Sequence, residues 1–212
     1  MKPLAECRLY AFVDTAYLHG RVPEVVAQQL CDGGADLIQL RAKTSSLDEI
    51  RRMAEAVLPV TRKANVGLII NDHLEIAREV GAEFCHRGQE DFFDAGHQQV
   101  SEVRSAECGV RIGLSSHTPE QAQRAIAAGA DYIAVGPVYA TGTKPTAKPV
   151  TLEYVRWAAA NVAVPWFAIG GVNLQTLDDV LAAGAKRVCV VSAILNAKDV
   201  VKACVEFRKR LG

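Results

Sequence analysis

The sequence has no net charge, no closely spaced cysteine pair and no long apolar run. Its 24 lysines and arginines balance 24 aspartates and glutamates, so no field of one sign extends toward nucleic acid or an anionic membrane. No segment approaches the roughly 20 apolar residues that span a bilayer, and the N-terminal segment lacks the apolar stretch of a signal peptide. These absences predict a cytoplasmic protein without nucleic-acid or membrane partners, in which any anion site is local.

Cysteine and histidine are too scattered to form a zinc site. The sequence contains neither a CxxC pair nor the short histidine spacing that such sites use. We therefore expect the cysteines to be small core residues in a reducing compartment. The six positions are Cys7, Cys31, Cys85, Cys108, Cys189 and Cys204.

The 212 residues, half of them hydrophobic, alternate short apolar segments with segments of helical periodicity. This alternation favours a parallel sheet with helical crossovers, and no GxGxxG motif points to a dinucleotide-binding sheet. Eight such units predict a single-domain (β/α)8 TIM barrel over residues 1–212, rather than a doubly wound sheet of five or six strands. The predicted strands are 7–14, 37–43, 67–72, 83–89, 111–117, 132–139, 165–172 and 187–194.

The predicted helices space their apolar residues by three and four, as an amphipathic helix requires. Glycines follow three of them, at Gly33, Gly129 and Gly184, and we expect these glycines to be left-handed caps. The helical segments are 22–33, 46–64, 73–81, 95–107, 119–129, 152–162, 174–184 and 199–211.

Polar side chains gather where the predicted strands end, which is where TIM barrels carry their chemistry. Gln39, Arg41 and Lys43 occupy alternate positions of the second strand and so point to one face. Because the apolar face must meet the helices, this polar face lines the barrel. Two interpretations stay open: an anion site, or a buried ion-pair network with acidic neighbours.

Two carboxylates are expected to meet at the mouth of the barrel. Asp72 ends the third strand, and the fourth is expected to run on from Gly88 through residues 89 and 90 to Asp91. Neighbouring carboxylates need a proton or a cation between them, and hard oxygen ligands beside phosphate favour Mg²⁺. For Asp91 the alternative is an N-terminal helix cap.

A second group of candidate residues follows strands five to eight. Thr141, Thr143 and Lys144 lie in an irregular loop and could bind phosphate, although a solvated loop is the alternative. After strands seven and eight, backbone N–H groups at Gly170–Gly171 and Val191–Ser192 are placed where such barrels bind phosphate. Ser115 and His117 complete the rim, the histidine as a structural donor or as a base.

Seven short motifs stand in the order and spacing of the thiamin-phosphate synthase family over nearly the whole chain. They are QLRAK, IIND, GQED, GLSSHT, VGPVYATGTK, AIGGV and VVSAI. The chain thus resembles a family that joins hydroxymethylpyrimidine diphosphate to thiazole phosphate, releasing pyrophosphate and forming thiamin phosphate.

The resemblance implies a role for each candidate residue. Asp72 and Asp91 would hold Mg²⁺, and Arg41, Lys43, Lys144 and Ser115 would be catalytic. The residues that would hold the pyrimidine diphosphate are Gln39, Arg41, Lys43, Asn71, Ser115 and Lys144. Those that would hold the thiazole phosphate are Thr141, Thr143, Gly171, Val191 and Ser192.

The residues fit a dissociative substitution better than proton transfer. The thiazole nitrogen carries its own lone pair, so the reaction needs a stabilised leaving group rather than a tuned base. Two rivals remain: a thiazole tautomerase on the same fold, which needs a histidine where this chain has Gly136-Pro137, and a non-catalytic phosphate-binding barrel. A homo-oligomer is left open, since no apolar stripe predicts one. Arg87, where the family has an aliphatic residue, is unexplained.

Overall fold

The computed structural model describes residues 1–104, 109–143 and 148–212. Eight parallel strands pair in sequence order, and β8 closes the barrel against β1. The predicted TIM barrel is therefore confirmed. The strands are β1 Leu9–Asp14, β2 Leu37–Arg41, β3 Gly67–Asn71, β4 Phe84–Arg87, β5 Arg111–Ser116, β6 Tyr132–Val135, β7 Trp166–Ala168 and β8 Val188–Cys189.

Helices connect the strands around the outside of the barrel. The longest, α2, begins with a capping box in which Ser46 and Glu49 satisfy each other's backbone N–H groups. Single 3₁₀ turns lie at Leu4–Glu6 and Thr15–Tyr17. The helices are α1 Pro23–Asp32, α2 Leu47–Lys63, α3 Leu74–Val80, α4 Gln89–Asp94, α5 Val100–Val103, α6 Pro119–Ala127, α7 Thr151–Asn161, α8 Leu177–Ala182, α9 Ser192–Leu195 and α10 Val200–Leu211.

Aromatic rings fill the lower interior of the barrel. The Tyr10 ring meets Phe167 edge to face at a centroid distance of 5.4 Å, and Tyr132 meets Phe84 and Phe167 at 6.0 and 5.8 Å. These inward-facing residues alternate along their strands with residues that face the helices. The interior below the mouth is therefore a packed core rather than a channel.

Gly113 makes room for the ring of Tyr132. A Cβ atom at position 113 would lie 2.0 Å from Tyr132 Cζ, which no real side chain tolerates. The glycine on β5 therefore lets the phenol of the neighbouring strand reach across the barrel interior.

An acidic residue stands directly before β2, β4 and β6, and each accepts a hydrogen bond from the backbone at the start of the preceding strand. Asp36 accepts from the N–H groups of Arg8 and Leu9 at 2.7 and 3.1 Å. Glu83 accepts from Leu68 N–H at 2.9 Å, and Asp131 accepts from Ile112 N–H at 2.7 Å. Each acid follows a Gly-Ala pair, at 34–35, 81–82 and 129–130. These bonds satisfy strand-end donors at the bottom of the barrel.

The predicted strands are right in number and too long at their C-terminal ends. The fourth strand, expected to reach Asp91, ends at Arg87, and Gln89–Asp94 form α4 instead. Residues 95–99 were expected to begin a helix and are not helical. Phe92 and Phe93 are buried, so packing of this short helix outweighs the extended alternative. Ser192, predicted within the eighth strand, instead begins α9.

One of the three predicted glycine caps is displaced by a residue. Gly33 has a φ of −77°, and Gly34 is the left-handed residue with a φ of 85°. Gly129 and Gly184 are left-handed as expected, with φ values of 84° and 102°. At Gly33 a Cβ would lie 2.3 Å from Cys204 Cβ, so close packing against α10 explains this glycine.

The described cysteines are unpaired thiols. Cys7, Cys85, Cys189 and Cys204 are buried, as expected of core residues, and Cys31 is partly buried. Burial raises the pKa of Cys85 to about 12. Cys108 lies outside the described residues. Among the helices of the described residues, none combines the length and apolar character that a membrane crossing requires.

Candidate active site

One cavity opens at the C-terminal ends of the strands, and its wall contains every predicted site residue that the structure describes. Lys144 lies outside the described residues. The predicted residues in the wall are Gln39, Arg41, Lys43, Asn71, Asp72, Asp91, Ser115, Thr141, Thr143, Gly171, Val191 and Ser192.

The cations of β2 and the loop after it face carboxylates. Arg41 Nη1 donates to Asp14 Oδ2 at 2.8 Å, and Asp14 is almost fully buried. Lys43 Nζ donates to Asp72 Oδ2 at 2.5 Å, with Lys43 about half exposed. Arg41 and Lys43 line the cavity and each has an acidic partner, which fits the ion-pair interpretation, while the anion site stays a prediction.

Asp72 is held in a left-handed backbone conformation with a φ of 65°. Its N–H donates to the carbonyl oxygen of His86 at 2.8 Å, which ties the end of β3 to β4. Its Oδ2 atom also accepts from Asn71 Nδ2 at 2.7 Å. Donors on one side fix the direction of this carboxylate at the rim.

Asp91 lies in the first turn of α4 and does not cap it. Gly88 is the residue before the helix, and no side-chain cap bond forms there. The Asp91 carboxylate lies directly against Gly88. A Cβ atom added to this glycine would be 2.6 Å from Asp91 Oδ2. No described residue donates a hydrogen bond to this carboxylate, which lies in the cavity wall.

Ser115 and His117 differ in what they offer the cavity. Ser115 Oγ accepts from Gln89 N–H at 3.2 Å, so its own proton can be donated to another acceptor. His117 Nδ1 bonds the carbonyl oxygen of Gly136, which can only accept, so Nδ1 carries a proton. His117 therefore has the structural-donor role, although it also lines the cavity.

The loop after β6 is tied to the loop after β1. Thr143 Oγ1 lies 3.2 Å from the Tyr17 hydroxyl, and Thr143 N–H donates to Thr141 Oγ1 at 3.3 Å. The two threonine hydroxyls are therefore placed over the cavity by contacts of the loop itself and of Tyr17.

The part of the cavity wall that follows β7 and β8 exposes backbone N–H groups. At Gly171, with a φ of 66°, a Cβ would lie 2.6 Å from Tyr139 Cβ, so only glycine fits there. Val191 precedes α9, and its carbonyl accepts from Ile194 and Leu195 N–H. Among the described residues, no hydrogen bond engages the N–H of Gly171 or Ser192. These N–H groups suit an anion.

Sequence reasoning missed the cavity floor and one buried acid. Tyr10, Phe12 and His86 line the cavity below the predicted residues. Asp14 is the partner of Arg41 and also accepts from Ala16 N–H at 3.0 Å. The signal was available, because Tyr10, Phe12 and Asp14 alternate along β1 as Gln39 and Arg41 do along β2.

Arg87 faces away from the barrel interior. Its guanidinium carbon lies 5.8 Å from the centre of the Phe92 ring, and the side chain borders a surface groove shared with Arg78 and Arg104. The residue is partly buried and belongs to the helix side of β4.

The fold and the cavity are those of a TIM barrel with room for small molecules at the C-terminal ends of its strands. The family model for thiamine monophosphate synthase matches residues 9–194. The chain belongs to this thiamine monophosphate synthase family, and its activity is that of a transferase forming thiamine phosphate.

Individual relatives agree with the family match. The chain is 43% identical over 180 residues to a thiamine-phosphate synthase of Thermus thermophilus, covering 84% of each chain. It is 37% identical over 206 residues to the enzyme of Halalkalibacterium halodurans, covering 96% of this chain and 95% of that one. The solved structure of thiamine phosphate pyrophosphorylase from Pyrococcus furiosus superposes with a TM-score of 0.82 at 27% identity, covering 98% and 96%.

Proposed function

We propose that the cavity couples hydroxymethylpyrimidine diphosphate to thiazole phosphate by a dissociative, Mg²⁺-assisted substitution that releases pyrophosphate. The observation that supports this most is the difference between its walls. One wall carries Arg41, Lys43, Asp72 and Asp91, while the other carries hydroxyls and backbone N–H groups. A leaving diphosphate needs strong charge compensation, whereas a phosphate that stays on its substrate needs only binding.

The pyrimidine diphosphate occupies the charged wall in this proposal. Gln39 binds the pyrimidine, while Arg41, Lys43, Asn71 and Ser115 donate to the diphosphate, and Lys144 joins them. Arg41 is oriented by Asp14, which keeps its planar donor fork aimed from a largely buried position. The Ser115 proton is available because its oxygen already accepts from Gln89 N–H.

Asp72 and Asp91 are the proposed ligands of Mg²⁺. The carboxylates of Asp91, to which no residue of the described ranges donates, and of Asp72 both line the cavity and offer hard oxygen donors. Among the described residues, no group of three or more His, Cys, Asp or Glu could hold a metal. Mg²⁺ typically takes one or two carboxylates and completes its shell with phosphate oxygens and water. When bound, Mg²⁺ supplies further positive charge to the diphosphate oxygens.

The thiazole phosphate occupies the other wall. Thr141 and Thr143 donate hydrogen bonds from their hydroxyls to the phosphate. The backbone N–H groups of Gly171 and Ser192 donate as well, and Val191 lines the cavity beside Ser192. This is the region after strands seven and eight, with a short extra helix, where TIM barrels commonly bind phosphate.

The reaction breaks the bond between the pyrimidine CH2 carbon and the diphosphate oxygen, whose electron pair leaves with pyrophosphate. The thiazole nitrogen then forms a bond to that carbon with its own lone pair. Arg41, Lys43 and Lys144 stabilise the departing anion, and one such contact contributes roughly 3 kcal/mol to lowering the barrier. No side chain needs to remove a proton, in agreement with the role of His117 as a structural donor.

Release of pyrophosphate by the purified protein tests the proposal. We expect release only with both substrates and Mg²⁺ present. Lys43→Ala should lower kcat by about 100-fold, since it removes one charge from the leaving group. Lys209→Ala is the matched control, because Lys209 also pairs with a carboxylate, Glu206 at 3.0 Å, but on the exposed face of α10.

Three outcomes would contradict parts of the proposal. Full activity in excess chelator would show that the reaction does not need Mg²⁺. Equal effects of the two lysine substitutions on kcat would show that Lys43 does not take part in the reaction. Tight binding of both substrates without turnover favours a phosphate-binding barrel, and interconversion of thiazole isomers without coupling favours a tautomerase. The proposed reaction does not depend on where the protein resides or on whether it forms a homo-oligomer. The cytoplasmic location stays a prediction, and the oligomeric state stays open.

A further inference from the structure

The loop after β1, residues 15–22, contacts two segments that carry proposed ligands of the thiazole phosphate. The Tyr17 hydroxyl lies 3.2 Å from Thr143 Oγ1 in the loop after β6. Arg21 Nη2 donates to the carbonyl oxygen of Leu195, the last residue of α9, at 2.7 Å. The loop therefore joins the two halves of the proposed phosphate site, which are far apart in the chain.

Arg21 spreads its donors over three carbonyl oxygens. Besides Leu195, its Nε atom donates to Leu18 at 2.8 Å and its Nη2 atom to Tyr17 at 2.7 Å. The last carbonyls of a helix have no N–H partner within the helix, so the Leu195 oxygen is a suitable acceptor. A planar guanidinium holds several acceptors at fixed angles, which a lysine ammonium does not. These contacts fix α9 to the loop after β1.

The direction of the hydroxyl protons follows from the charge of the ligand. An ionised phosphate oxygen only accepts hydrogen bonds, so a threonine that binds it has to donate its own proton. The oxygen of that threonine then accepts from the protein. For Thr143 the donor is the Tyr17 hydroxyl, and for Thr141 it is the Thr143 N–H at 3.3 Å. Tyr17 is thus placed to direct the Thr143 proton to the phosphate.

We propose that Tyr17 and Arg21 are positioning residues for the thiazole phosphate. Tyr17 directs the hydroxyl of Thr143 to the phosphate. Arg21 holds α9, whose first residue, Ser192, presents its backbone N–H. Neither positioning side chain lies in the cavity wall, whereas Thr143 and Ser192 do, so both act through these partners. The inference rests on the thiazole-phosphate site of the proposed function.

A positioning role makes a specific kinetic prediction. The phosphate stays on its substrate, so its contacts are the same before and during the reaction, and losing one raises KM without changing kcat. We expect Tyr17→Phe and Arg21→Lys each to raise the KM for thiazole phosphate about tenfold. The KM for the pyrimidine diphosphate and kcat should stay unchanged. Because Arg21→Lys keeps the charge, a wild-type KM in this variant would overturn the positioning role of Arg21.

Two control variants make the same chemical changes elsewhere. Tyr139→Phe also removes a phenol hydroxyl, in the loop after β6, but this hydroxyl has no hydrogen-bond partner among the described residues. Arg62→Lys also removes a guanidinium that donates to a carbonyl oxygen, that of Gly81 at 2.9 Å, on the outside of the barrel. Both controls should keep the wild-type KM for each substrate. An equal rise in KM in a variant and its control would overturn the inference.

A double-mutant cycle tests whether Tyr17 acts through Thr143. If it does, Tyr17→Phe should raise the KM for thiazole phosphate no further once Thr143→Val has removed the partner hydroxyl. Additive effects of the two substitutions would overturn the role of Tyr17. An unchanged KM in Thr143→Val alone would refute the thiazole-phosphate site on which the inference rests.

Hydrogen exchange in the substrate-free protein separates a failure of this inference from a failure of the proposed function. We expect the backbone N–H groups of α9 to exchange faster in Arg21→Lys than in the wild type, and at the wild-type rate in Arg62→Lys. Unchanged exchange in Arg21→Lys overturns the connection between the loop and α9, whatever the kinetics show. Faster exchange with an unchanged KM for thiazole phosphate overturns the proposed phosphate site instead.

Discussion

The aspartate carboxylates at the two ends of the barrel differ in burial and in how fully they are hydrogen-bonded. At the bottom, Asp36 accepts two backbone hydrogen bonds, contacts Lys2 and is nearly inaccessible to solvent. At the mouth, Asp91 has no hydrogen-bond donor among the described residues and Asp72 shares its oxygen with Lys43 and Asn71. Satisfied charges stabilise a fold, whereas incompletely satisfied charges can bind a ligand. Substitutions at the bottom of the barrel are therefore expected to change stability, and substitutions at the mouth are expected to change activity.

Asp72→Asn is expected to have the largest effect. Asparagine tolerates the left-handed conformation at this position and keeps the shape of the side chain, so the fold should survive. Loss of a proposed Mg²⁺ ligand should slow coupling by about 100-fold or more and remove most of the dependence on Mg²⁺. The measurement is kcat against Mg²⁺ concentration, with urea unfolding as the check on stability. Wild-type turnover would exclude Asp72 from the mechanism.

Asp36→Asn should have the reverse profile. It weakens the cap at the start of β1 and leaves Lys2 and Arg208 without their acidic partner. We expect a loss of about 3 kcal/mol in the free energy of unfolding, with kcat unchanged under conditions in which the protein stays folded. Asp48→Asn is the control, because Asp48 is a highly exposed acid whose pair with Arg51 contributes little. A large fall in kcat in Asp36→Asn would contradict the assignment of stability to the bottom of the barrel and of activity to its mouth.

Acid should weaken the bottom of the barrel through Asp36, with a smaller effect. Burial acts to raise the pKa of Asp36, but hydrogen bonds from Lys2 and from Arg8 and Leu9 N–H outweigh it, so the pKa is lowered. A lowered pKa contributes stability that is present above the ordinary value of about 3.9 and is lost as pH falls toward the folded value. Urea unfolding of wild type and Asp36→Asn should therefore converge below about pH 4. A constant difference between them would refute this contribution.

The sequence allowed the barrel to be predicted because eight repeats of one pattern leave few alternatives. The end of the fourth strand was misplaced, since it was expected to reach Asp91, whereas α4 begins at Gln89 and buries Phe92. The sequence analysis treated the joints at Gly33 and Gly129 only as helix caps, and the roles of Asp36, Glu83 and Asp131 were not predicted, because only the structure shows which backbone groups each acid meets.

The candidate site was predictable to the extent that polar residues in strands are conspicuous. Gln39 and Arg41 stand out in an apolar context, and the structure places both in the cavity wall. Tyr10 and Tyr132 do not stand out, because a tyrosine in a strand is ordinary core. Their hydroxyls lie 3.4 Å apart, a contact between strands far apart in the chain that no local pattern encodes.

The empty position at Gly113 has a consequence for changing the range of substrates. The fully buried ring of Tyr132 lies in the core beneath the residues that line the cavity, and it occupies the volume that a side chain at 113 would need. The two positions therefore behave as one volume shared between two residues. An engineer who repacks the core beneath the cavity has to alter both in the same variant, since a smaller residue at 132 alone leaves a void and a larger one at 113 alone creates a clash.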